Sequence, residues 1–128
     1  VTAPTPVPAS LLAIRLVAAI GVAAMTSLIV AGFSLASFTD QGGAILALTW
    51  GRVTLIDIYL AFLFGWLWIA WRERSAARAA VWALATVITG SLALFGYLLG
   101  AALRARTTTE LVLGPHRSGG HTPDTPGL

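Results

Sequence analysis

The chain has no cysteine, no lysine, a single methionine and few charges of either sign: eight arginines and five carboxylates in 128 residues. The missing thiols exclude disulfides, thiolate metal sites, iron–sulfur clusters and a cysteine nucleophile together. The scarcity of charge excludes more. Soluble domains carry about 25% charged residues, whereas this chain has 10%, against 57% hydrophobic. That is too little polar surface to cover a globule, so hydrocarbon is the expected solvent. The net charge of +3 would suit nucleic acid. The arginines, however, stand at the ends of apolar runs and form no basic face, so no nucleic-acid partner is expected.

Reactive chemistry is equally sparse. There is no Walker loop, no dinucleotide fingerprint and no Gly-x-Ser-x-Gly. No histidine lies in an apolar run, which leaves no axial ligand for haem or chlorophyll, and no carboxylate pair stands there for acid–base work. His116 and His121, with only Asp124 nearby, are too few donors for a metal site. The sequence therefore predicts a protein that is not an enzyme and ligates no cofactor through its own side chains. Contact with lipid, or with a neighbouring pigment or quinone, is the remaining expectation. The N-terminus lacks a basic region, and its apolar run is too long for a signal peptide.

What the chain does have is long apolar runs. Residues 1–9 form a tail whose Pro4, Pro6 and Pro8 favour extended backbone, and Ser10 stands where a helix N-cap belongs. Leu16 to Thr39 carries no charge, and as a helix it reaches about 36 Å, enough for a bilayer core of about 30 Å. The reading is an all-α integral membrane protein: a transmembrane domain over 10–103, with three helices at about 11–38, 53–72 and 76–103. Between the first two, Asp40 to Gly43 is turn chemistry. Ala44 to Trp50 is apolar but too short to cross, which predicts a short interfacial segment. Residues 104–128, rich in Thr, Gly and Pro, read as a polar tail that is disordered when alone.

Two sets of small residues are expected to be packing faces, Ala19, Ala23, Ser27 and Ala31 on the first helix and the pair Gly96 and Gly100 on the third, because small side chains let helices approach closely in lipid. Trp50, Trp66, Trp68, Trp71 and Trp82 read as interfacial anchors. Asp57 is the one charge between Val53 and Trp71. Thr54-x-x-Asp57 fits a capping box, with Arg52 and Arg104 as ion-pair partners. A proton or ion relay, or contact with a partner or lipid, are the other readings of an ionisable group in a span.

The stretch Trp50-Gly51-Arg52-Val53-Thr54-Leu55-Ile56-Asp57-Ile58-Tyr59, followed by Trp68, Arg72-Glu73 and Trp82, resembles a bacterial family of small uncharacterised multi-span membrane proteins. The resemblance covers roughly residues 10–103. It implies a short multi-span architecture and carries no activity or catalytic residue.

The expected role is a non-catalytic accessory or structural subunit of a larger bacterial membrane complex, such as a photosynthetic reaction-centre or respiratory assembly, packing by its small-residue helix faces with its tails held by partners. Its expected partners are other membrane subunits and lipids. A small oligomeric transporter or channel, or a holin-like protein, is the alternative. The expected location is the bacterial inner membrane. Arginines near the predicted span ends are almost balanced between the two faces, and the cluster Arg72, Arg74 and Arg78 tips the N-terminus inside and the C-terminus outside.

Overall fold

The computed structural model describes residues 6–117, and they are helical without strands. Six helices follow one another: α1 (Ala9–Leu35), α2 (Phe38–Ala47), α3 (Thr49–Arg72), α4 (Ala76–Thr89), α5 (Ser91–Arg104) and α6 (Thr108–Leu113). Among the described residues, α1 and α3 are long and apolar enough to cross a membrane. Only 6% of the most apolar window of each is buried. A core helix of a soluble protein would hide such a stretch. Here Leu16, Val17, Ile20, Leu28 and Phe33 of α1 and Ile56, Leu60, Leu63 and Phe64 of α3 face outward, the arrangement that suits hydrocarbon as solvent. The hydroxyls of Thr26, Ser27 and Ser34 donate to carbonyls four residues back in α1, at 2.7–2.8 Å, so they need no water.

The third predicted span is not a single helix. Gly90 has φ +61° and ψ −131°, a backbone that L side chains rarely adopt, and there the chain reverses. The Trp82 and Tyr97 rings meet edge to face at 5.1 Å, which makes α4 and α5 an antiparallel hairpin. Each has 14 residues and is about 21 Å long, short of a bilayer core. The hairpin tip sits against the middle of α3: a Cβ on Gly90 would lie 2.9 Å from the Phe62 ring. Further down, Leu94 occupies the space a side chain at Gly65 would need.

α1 runs antiparallel to α5. Arg15 reaches the carbonyls of Ala102 and Ala105, and Gly21 faces the Phe95 ring, where a Cβ would come within 2.5 Å. The core gathers at one end of the bundle, from Leu11, Ile69, Tyr97, Ala101, Ala102, Ala105 and Leu111. α6 closes that end, and Ser10 Oγ lies 2.9 Å from Thr108 Oγ1. The two ends of the described chain therefore meet at one end of the bundle, where three full crossings would set them apart.

Several boundaries also differ from expectation. Ser10 lies inside α1, which starts at Ala9 after Pro8. Asp40–Gly43 is not a turn but part of α2, whose N-cap Ser37 accepts from the Asp40 N–H. The tail expected to be disordered contributes α6; its remainder from 118 on, with His121 and Asp124, lies outside the described residues.

Candidate functional site

The polar chemistry of the chain collects at the end where α3, α4, α5 and α6 converge. Arg72 is the last residue of α3. Its Nε donates to the Leu111 carbonyl at 2.9 Å and its Nη1 to Tyr97 Oη at 3.0 Å. Tyr97 Oη in turn donates to Glu73 Oε1 at 2.8 Å. Glu73 Oε2 meets Arg78 Nε at 3.6 Å. Tyr97 is held for this by its ring, edge-on between Trp68 and Trp82 at 5.7 and 5.1 Å. One phenol thereby ties the end of α3 to the middle of α5, and the charge chain continues to the start of α4. On the far side of α5, Arg15 donates from Nε to Ala102 O at 2.9 Å and from Nη2 to Ala105 O at 3.1 Å. It meets carbonyls that a helix C-terminus leaves unpaired, and its charge suits the negative end of α5.

A cavity of about 540 Å³ opens beside this network. Its walls are two helix faces. From α4 come Arg78 and, one turn deeper, Trp82; from α5 come Arg104, Gly100 and Gly96 in steps of four. Arg72, Arg74, Glu73, Glu110 and His116 complete the mouth. Four arginines thus face two carboxylates, and both carboxylates are engaged locally. Glu73 holds Tyr97 and Arg78, while Glu110 Oε2 accepts from the Arg106 N–H at 2.9 Å. Arg74 and Arg104 are exposed, and among the described residues neither makes an ion pair or a side-chain hydrogen bond. The recess has guanidinium donors in excess of acceptors.

The residues singled out in the sequence fall differently. Thr54 and Asp57 do not cap a helix: α3 begins at Thr49, so both lie within it, exposed. Arg52 Nε donates to the Leu46 carbonyl at 2.7 Å, docking α2 on α3, and Arg104 stands at the opposite end beside the cavity; neither pairs with Asp57. Ala19, Ala23, Ser27 and Ala31 all face outward; α1 packs instead through Leu11, Ala18 and Gly21. Gly96 and Gly100 bring no helix close, since a Cβ on either would meet nothing within 4 Å. They line the cavity. Trp66, Trp68 and Trp82 are half-buried between helices, with Trp66 Nε1 donating to Ala79 O at 2.9 Å. Trp50 and Trp71 are exposed, at 79% and 46%. Tyr97, which organises the site, carried a visible signal: it is the one phenol in an otherwise apolar run, between Gly96 and Gly100. Among the described residues no group of three metal-ligating side chains occurs. No family model, curated protein or solved structure matches the chain.

Proposed function

We propose that this chain is a non-catalytic subunit of a larger membrane assembly, carried in the bilayer by α1 and α3 and joined to a neighbouring subunit through the face of α3 around Asp57. The supporting observation is Asp57 itself. It is exposed on an apolar helix, about 10 Å along from Trp50 and about 22 Å from Arg72. A carboxylate costs about 2.5–3.5 kcal/mol at a span centre, and less at the off-centre depth of Asp57. A donor from a second subunit removes that cost. Thr54 and Ala61 flank Asp57 on the same face, both exposed, and their small size lets another helix approach. A relay needs polar groups leading away from Asp57, and α3 offers no carboxylate, histidine or arginine between it and Arg72.

The arginine distribution supports an orientation. Arg15, Arg72, Arg74, Arg78, Arg104, Arg106 and Arg117 all belong to the closed end of the bundle, and only Arg52 stands at the other. The positive-inside rule puts that end, with both described termini, in the cytoplasm.

The test is purification of the tagged chain from native membrane in mild detergent, with its mass read by native mass spectrometry. A co-purifying subunit is expected, and Asp57→Leu should release it while leaving the yield of this chain intact. A monomeric wild-type chain overturns the reading. A small transporter or channel, the other use of an in-span carboxylate, would run as a homo-oligomer whose ion flux stops on Asp57→Asn with mass unchanged.

A further inference from the structure

We propose that the cavity between α4 and α5 binds one anionic glycerophospholipid, its phosphate among Arg74, Arg78 and Arg104 and an acyl chain along Gly96 and Gly100. This stands apart from the subunit contact, which lies about 22 Å away along α3.

Three observations carry it. The first is charge. The mouth holds four arginines against two carboxylates already engaged by Tyr97, Arg78 and the Arg106 N–H. Guanidinium forks match phosphate oxygens, and delocalised charge tolerates the low dielectric near a bilayer. The second is shape. Gly96, Gly100 and Arg104 form one stripe, eight residues from deep end to mouth, about 12 Å of helix. Both glycines leave open space where a side chain would stand, and Trp82 forms the facing wall. The trough is therefore apolar at depth and cationic at its mouth. A free phosphate uses only the mouth, whereas a phospholipid matches both parts. The volume, about 540 Å³, falls within the 300–1,000 Å³ typical of ligand sites. The third is level. Beside the cavity, Arg117 stacks over Trp71, its guanidinium carbon 4.7 Å from the ring centre, and an exposed tryptophan at a span end marks headgroup depth. Basic pockets between helices at that depth on the cytoplasmic side suit phosphate headgroups.

The test uses the full chain in detergent, titrated with phosphatidylglycerol, phosphatidylcholine or inorganic phosphate, with bound lipid read by native mass spectrometry. One phosphatidylglycerol per chain is expected, about tenfold preferred over phosphatidylcholine. Arg74→Gln and Arg104→Gln should each weaken it by about fivefold, from roughly the contribution of one arginine near an anionic surface. Gly96→Leu and Gly100→Leu should abolish retention with every charge in place. Gly32→Leu, on α1 in open space, should leave it unchanged. Equal retention of the two lipids overturns the proposal. So does full displacement by millimolar inorganic phosphate, which would make the mouth an anion site without a lipid trough. So does retention in a leucine variant whose circular dichroism is that of the wild type. Should the leucine variants not fold, the arginine variants decide, because both side chains are exposed.

Discussion

At the residue scale, Tyr97 is the most connected polar side chain, donating to Glu73 and accepting from Arg72 while its ring fills the space between two tryptophans. Tyr97→Phe keeps the ring packing and removes only the hydroxyl. It leaves Arg72 Nη1 and Glu73 Oε1 without their partner, a loss of about 1–3 kcal/mol, to be read as a lower denaturation midpoint in detergent; an unchanged midpoint would show that water replaces the phenol. The same scale shows where local sequence signals succeed. Ser/Thr-x-x-Asp/Glu occurs at Ser37–Asp40, Thr54–Asp57 and Thr107–Glu110. The first and third do cap helices, Thr107 Oγ1 accepting from the Glu110 N–H at 3.1 Å. The second does not, because α2 docks on the start of α3 through Arg52 and the helix begins earlier, after the extended Leu48. The chemistry of a cap is local, but which candidate is used depends on what packs upstream.

At the element scale, α1 and α3 were legible because length and apolarity alone define them. The hairpin was not. Residues 79–103 form an uncharged, mostly apolar run, and a glycine within such a run is ordinary in membrane helices. Only the positive φ of Gly90 and the fit of its neighbourhood against Phe62 and Gly65 reveal the reversal, and these depend on tertiary contacts. The small-residue stripe of α1 faces outward for a related reason. Alanine is abundant throughout α1, so spacing picks out several faces, and the face used is the one whose glycine admits Phe95. Gly21→Leu should therefore destabilise the α1–α5 contact by about 1–3 kcal/mol, the usual penalty of overpacking. Ala23→Leu, on an exposed face, should stay within about 0.5 kcal/mol. Unfolding midpoints of the two variants in the same detergent compare them directly, and equal effects would place the α1–α5 seam elsewhere.

At the scale of the whole molecule, the hairpin leaves two helices long and apolar enough to cross a membrane where the sequence suggested three, and it gathers at one end of the bundle arginines that the sequence divided between two. Residue counts do not show this, since Arg104 and Arg106 join the end of Arg72 and Arg78 only because the chain doubles back at Gly90. The absence of cysteine allows a clean check. With Gly43→Cys in α2 and Thr109→Cys in α6, a membrane-impermeant maleimide should label the first on intact cells and the second only after permeabilisation. Labelling of both, or the reverse pattern, rejects the proposed orientation. With α1 and α3 as the proposed spans and the α4–α5 tip against Phe62, the arginine-bearing half of the bilayer would accommodate four helices and the other half two. With helices about 10 Å across, the two areas would then differ by about 160 Å², and the molecule would sit in the bilayer as a wedge. A flat sheet must strain or thin above the blunt tip to receive it, whereas a membrane already bent to enlarge the arginine-side leaflet receives it without that cost.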